Sequence, residues 1–329
     1  MGAYVIRRLL LFIPMMAAIS VITFILIQLP PGDYLTSEIM AMAERGEEVD
    51  EAAIEALKLR YGLDRPMVEQ YFRWITNIIL RGDFGRSFHW EQPVSSLIWE
   101  RLMWTVVISL GSLLFTWVVA FPIGIYSATN QYSIADYLFT FFGFLGKATP
   151  NFLLALVLMW MGYVYFDLNM GGLFSAEYQR APWSLAKVGD LIGHLWVPLV
   201  VLGTAGTADL IRVLRANLLD ELSKPYVTAA RAKGLTELKL IAKYPVRIAI
   251  NPFVSSIGGV LPELISGAAI VSVVLSLPTT GPLMLGALLT QDMFLAGSFL
   301  MLLTILSLIG TLLSDILLAV LDPRIRQTV

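Results

Sequence analysis

The chain contains no cysteine, which excludes disulfides, thiolate metal sites and cysteine nucleophiles. It has two histidines, His89 and His194, too far apart in sequence to show a metal-ligand spacing. Charge is scarce. Asp, Glu, Lys and Arg make up 15% of the 329 residues, against roughly a quarter in a soluble domain. The net charge of −2 gives the whole chain no basic bias toward nucleic acid. No G-x-x-x-x-G-K-[ST] loop is present to cradle a nucleotide phosphate, and neither H-E-x-x-H nor G-x-S-x-G occurs. The apolar runs also lack paired carboxylates at helical spacing. An intramembrane hydrolase is therefore disfavoured, and no cofactor or metal is expected on this chain.

What is present is hydrophobicity in blocks. Apolar residues make up 57% of the chain, and its mean hydropathy is +0.73. Runs of about twenty such residues match the roughly 30 Å hydrocarbon core of a bilayer. Six emerge, at 9–29, 102–128, 137–166, 194–216, 251–277 and 293–321, and predict an all-α membrane protein with six transmembrane helices. Asp209 and Arg212 close the apolar part of the fourth early. The first follows a short basic leader, but it is longer than a signal-peptide core and lacks a small-x-small cleavage site. It reads as a retained first span.

Lys and Arg in the short flanks set the orientation. Arg7 and Arg8 precede the first span, Arg324 and Arg326 follow the last, and the segment 217–250 between the fourth and fifth is basic. All three are expected in the cytoplasm. The chain then divides into an N-terminus with its first span (1–29), a long outer loop (30–101), a five-helix core (102–321) and a cytoplasmic C-terminus (322–329).

The outer loop carries apolar residues at helical spacing, first Ile54, Leu57 and Tyr61, then Val68, Tyr71, Phe72, Ile75 and Ile79. The second group predicts an amphipathic helix lying at the outer interface. The Arg81-Gly82-Asp83 tripeptide beyond it reads as a turn, not an adhesion motif. Proline and glycine fall inside spans, among them Pro122, Pro150, Gly203, Gly206 and Pro262, where close packing or a moving path would use them. Ionisable residues inside spans are few: Lys147, Asp209, Glu263 and Asp315. A charge in the bilayer is expensive and marks function by default. Asp209 and Asp315 are expected near span ends, pairing or capping there. Glu263 and Lys147 are the better candidates for a polar path.

The segment "YVTAARAKGLTELKLIAKYPVRIAINP" (226–252) breaks the apolar pattern. Ser223 is placed to cap a helix with Pro225 in its first turn. That helix ends at Gly234, which suits the left-handed backbone that closes helices. Thr236 is placed to cap a second helix with Leu238, Ile241 and Ala242 on one face. Two readings follow. The knob is either a docking surface whose small residues Ala229, Ala230 and Ala232 permit close approach, or a basic helix held by anionic lipid headgroups.

This segment closely resembles the EAA loop of the permease subunits of bacterial ATP-binding-cassette importers. Ala229, Ala230 and Gly234 stand at the family spacing, with Thr228 in place of the leading Glu. The motifs "YGLDRP", "GDFGRSF", "PVSSLIWERL" and "LDPRIR", in that order, resemble the dipeptide/oligopeptide permease group across nearly the whole chain. The chain departs from that pattern at Ser272, where a Glu is expected, and at Pro278-Thr279-Thr280-Gly281, where a Pro-Gly-x-Gly turn is usual.

The resemblance implies a transport subunit in the bacterial inner membrane, not itself an enzyme. It implies a second homologous permease, two ATPase subunits that consume the ATP, and a periplasmic binding protein that delivers cargo to the outer loops. It also implies that Thr228, Ala229, Ala230, Arg231, Ala232, Lys233, Gly234 and Leu235 form a coupling helix docked on an ATPase. Candidate residues of the translocation path are Lys147, Pro150, Glu263 and Ser272. Peptides are the favoured cargo; oligosaccharides, opine-like conjugates and metal chelates are alternatives. A stand-alone secondary transporter built around Lys147 and Glu263, and a receptor or scaffold, stay open as other classes.

Overall fold

The computed structural model describes residues 2–28, 65–167, 170–251, 253 and 269–321. Among these, the secondary structure is helical, apart from one isolated antiparallel bridge between Arg86 and Pro93. Four helices are long and apolar enough to cross a membrane: α1 (Gly2–Gln28), α3 (Val94–Thr129), α6 (Leu185–Leu222) and α12 (Met293–Leu321). They coincide with the predicted spans at 9–29 (of which residues to 28 are described), 102–128, 194–216 and 293–321. The charges at 209 and 212 do not end α6, which runs on to Leu222.

The predicted span at 137–166 is not one helix. It is α4 (Ile134–Ala148) followed by α5 (Asn151–Phe166), bent by 102° at Thr149-Pro150. Proline has no N–H to donate, and its ring pushes the residue before it out of the helical region. Thr149 accordingly sits at φ −84°, ψ 121°, and Pro150 at ψ 133° starts α5 without a side-chain cap. With the bent pair taken as one span the described residues hold five. Most of the sixth, predicted at 251–277, lies outside them; its last turns form α10 (Ala269–Val274).

The chain divides into two compact units. One joins Met1–Met103 with Thr279–Ile309. In it α2 (Met67–Arg81) is the predicted amphipathic helix, closed by Gly82 in the left-handed conformation with its N–H on the Ile78 carbonyl. The Arg81-Gly82-Asp83 tripeptide is this turn, and the Asp83 carboxylate accepts from the Gly85 N–H at 2.9 Å. The face against α1 differs from the predicted one. Tyr71, Trp74, Ile75 and Ile78 pack with Phe24 and Met301, whereas Val68, Phe72 and Ile79 are exposed. The apolar belt is wide enough that half of it faces inward and half outward. The earlier group at 54–61 lies outside the described residues. Between α11 (Thr280–Leu289) and α12, fully buried Asp292 accepts from the Ser87 hydroxyl at 2.5 Å and from the Leu295 N–H at 3.2 Å.

The other unit, Trp104–Pro278 with Gly310–Val329, is organised around α6, which packs on α4, α5 and α10. One apolar cluster joins Ile108, Ala155, Val197, Val201, Val271 and Leu275; a second joins Ala128, Leu214, Leu218, Ala249 and Phe253. Small residues set the helix approach. A Cβ at Gly146 would meet Thr204 Cγ2 at 2.6 Å, and one at Gly203 would overlap the Phe115 ring. Gly203→Ala is therefore expected to destabilise the detergent-solubilised protein by about 1–3 kcal/mol through overpacking. Gly206→Ala, whose Cβ would sit at an ordinary 3.6 Å from Thr116, should leave its thermal denaturation nearly unchanged.

Before α6, the stretch 170–183 folds over the start of that helix. Gly172 N–H bonds the Leu275 carbonyl at 2.7 Å. Buried Lys187 donates to the Ala181 carbonyl at 2.7 Å, and its ammonium lies 4.8 Å from the Phe174 ring centroid and 5.3 Å from that of Trp183.

Candidate functional site

The loop after α6 folds as a small knob of three helices: α7 (Pro225–Ala232), α8 (Glu237–Lys243) and α9 (Pro245–Ala249). Pro225 opens α7 at a position where its missing N–H is harmless. The capping residue is Lys224, not Ser223; the Ser223 hydroxyl instead bonds the Asp220 carbonyl at the end of α6. Gly234 closes α7 as expected, at φ +79°. Thr236 holds the cap position of α8 but makes no side-chain capping bond. The knob's core is Val227, Ala230 and Leu240, backed by Tyr226, Leu235, Ile241 and Tyr244. The face predicted for α8 is thus shifted, with Leu240 fully buried and Leu238 exposed. The helical period permits either stripe, and the contacts of α7 select the one through Leu240.

Of the predicted coupling residues, Ala230 is buried and Leu235 half-buried, so both hold the knob together. Thr228, Ala229, Arg231, Ala232, Lys233 and Gly234 are exposed. A groove of about 580 Å³ runs beside them, lined by Ala229, Lys233, Lys243, Tyr244 and Arg247 among others. Arg231 Nε donates to Glu237 Oε1 at 2.5 Å and ties α7 to α8 across the Gly234 turn. That hydrogen bond, with the guanidinium charge, holds the Glu237 carboxyl below the usual range. The contribution of this tie is present at neutral pH and is lost only as pH falls through that lowered value. Burial, then the 2.5 Å bond it donates to Glu221, push the Tyr226 hydroxyl above the ordinary phenol range. The knob is a packed, positively charged body.

A second constellation lies between α4 and α6. Lys147 Nζ donates to Asp209 Oδ1 at 2.5 Å, and Arg212 Nη2 reaches the same oxygen at 3.4 Å. Nearer the start of α4, Arg215 Nη2 donates to Asp136 Oδ2 at 2.9 Å. Asp136 is buried; it also accepts from the Tyr132 N–H at 3.0 Å, while the Ser133 hydroxyl caps α4 by accepting from the Asp136 N–H. Lys147 and Asp209, read separately from the sequence, are partners. The Asp136–Arg215 pair was missed, although Ser133 three residues before Asp136 is a helix-start signature.

Of the other path candidates, Pro150 and Ser272 do not join this cluster. Pro150 makes the bend after α4. Ser272 is buried in α10, its carbonyl accepting from the Leu277 N–H at 2.8 Å. Glu263 lies outside the described residues; among those described, the partner of Lys147 is Asp209. Among the described residues no group of three or more His, Cys, Asp or Glu side chains could hold a metal ion.

Bent and apolar helices, a packed basic knob and few ionisable residues define a multi-pass membrane protein. Residues 120–327 match the family described as the binding-protein-dependent transport system inner membrane component, and residues 1–110 match that family's N-terminal region. The chain belongs to this family of inner-membrane permeases. Among its relatives, an oligopeptide transport system permease protein of Bacillus subtilis (strain 168) is 33% identical over 326 residues, 99% of each chain. An inner membrane ABC transporter permease protein of Escherichia coli O157:H7 is 32% identical over 364 residues, again 99% of each. A dipeptide transport system permease protein of Escherichia coli (strain K12) is 29% identical over 341 residues, 98% of each.

Proposed function

We propose that this chain is one of two permease subunits of an ATP-driven importer for short peptides. The observation that carries the reading is similarity along the full length to permeases named for oligopeptides and dipeptides. In this assembly Thr228–Leu235 is the coupling segment. The exposed small side chains of α7 and the groove beside it receive a separate ATPase subunit, and the packed core of Val227, Ala230 and Leu240 passes its motion to α6. A packed knob transmits displacement, whereas a flexible linker would absorb it. The knob and both termini lie in the cytoplasm, while residues 30–101 and 278–292 face outside, where a binding protein presents cargo. The segments 1–29, 30–101, 102–321 and 322–329 then serve as anchor, outer loop, transport core and tail. ATP is hydrolysed by the partner subunits.

The test is purification in mild detergent from the native membrane, followed by intact-complex mass spectrometry. The expected result is a second permease of similar size with two ATPase-sized subunits. A chain recovered alone or as a homodimer under every gentle condition overturns the assembly and favours a secondary transporter.

A further inference from the structure

The pocket between α4 and α6 has a volume of about 260 Å³ and is lined by Lys147, Asp209, Arg212 and Arg215 with Phe139 and Phe144. Arg215 is engaged by Asp136, which leaves Lys147 and Arg212 sharing the single carboxylate of Asp209. Among the described residues, one positive charge is uncompensated. Lys147 and Asp209 are 47% and 45% exposed, although they sit on helices of the apolar core. Lys147 lies in the last turn of α4, about 16 Å along the helix from Asp136 in its first turn. It is also three residues from the break at Pro150. An exposed ion pair on these apolar helices, beside an interrupted helix, does not belong against lipid tails.

We propose that this pocket is a carboxylate-binding station on the transport path, and that it takes the terminal carboxylate of the peptide in transit. The inference rests on the peptide-importer reading above. Asp209 occupies the place of an incoming carboxylate, bridging the ammonium of Lys147 and the guanidinium of Arg212. An arriving carboxylate meets the uncompensated charge and shares the two cations with Asp209. Phe139 and Phe144 offer apolar contact to any side chain, a tolerance that suits cargo of variable sequence.

The experiment uses the whole complex in vesicles, with its ATPases and binding protein. Uptake of a tripeptide is compared with uptake of the same tripeptide amidated at its C-terminus, both at concentrations that saturate the binding protein. Lys147→Met and Arg212→Met should each lower the acid-to-amide uptake ratio about tenfold, and Lys147→Arg should restore most of it. The same oxyanion chemistry is available from lipid phosphate, so vesicles of phosphatidylcholine alone are compared with vesicles containing phosphatidylglycerol. A ratio unchanged in both methionine variants overturns the station, as does a defect that follows the phosphatidylglycerol content. A wild-type complex that carries no tripeptide overturns the cargo reading itself.

Discussion

Gly234→Val is expected to lower ATP-driven peptide uptake by the assembled complex on the order of tenfold, while Gly234→Asn keeps most of it. The residue sits at φ +79°, and a Cβ built there meets nothing within 4 Å. Space is therefore not the constraint; backbone conformation is. A β-branched side chain in the left-handed region costs about 1–2 kcal/mol, whereas asparagine adopts that region readily. The cost falls on a small unit built around Val227, Ala230 and Leu240. It also falls on the turn in which the Gly234 N–H bonds the Arg231 carbonyl at 3.0 Å. Loosening this turn separates α7 from α8 without touching the spans, so the complex should assemble yet hydrolyse ATP unproductively. Parallel assays of uptake and ATP hydrolysis in proteoliposomes check this. Equal behaviour of the valine and asparagine variants would sink the argument.

Arg215→Met is expected to destabilise the folded chain by about 2–3 kcal/mol, below the full range for breaking a buried ion pair because Arg215 is itself partly exposed. Asp136 is 3% exposed, and Arg215 reaches it across 79 residues of sequence. Once the guanidinium is gone, the carboxylate keeps the Tyr132 N–H at 3.0 Å and loses its charge partner. Adding Asp136→Leu should recover much of the loss, because two apolar residues in place of a pair leave no orphan charge. Denaturation midpoints of the single and double variants in one detergent give the cycle. Simple additivity of the two changes would mean the residues act independently, contrary to the geometry.

Long apolar runs identify spans because bilayer thickness acts on every residue of a helix, and four of the six stand as continuous helices. Gly234 and Pro225 were readable because each is tied to a backbone conformation, a purely local property. The bend after α4 was open to the same reasoning, since Pro150 disfavours helix at Thr149, yet a strong apolar average across 137–166 conceals a single interruption. Side-chain partnerships were out of reach. Lys147–Asp209 and Asp136–Arg215 join positions 62 and 79 residues apart, and no periodicity within one helix registers the facing helix. Nor could spacing choose which half of a wide apolar belt packs inward, as the Tyr71–Ile78 face of α2 illustrates.

Lys187 has a bearing on how the protein responds to its medium. Its ammonium is satisfied by the Ala181 carbonyl and by the faces of Phe174 and Trp183, and among the described residues no carboxylate pairs with it. Dissolved salt weakens attraction between exposed opposite charges by gathering counterions around each. It has little purchase on a cation buried against aromatic rings, where the attraction comes from the ring quadrupole and water is excluded. The hold of Lys187 on residues 170–183 should therefore depend little on ionic strength, so this contact persists in dilute and in briny surroundings alike.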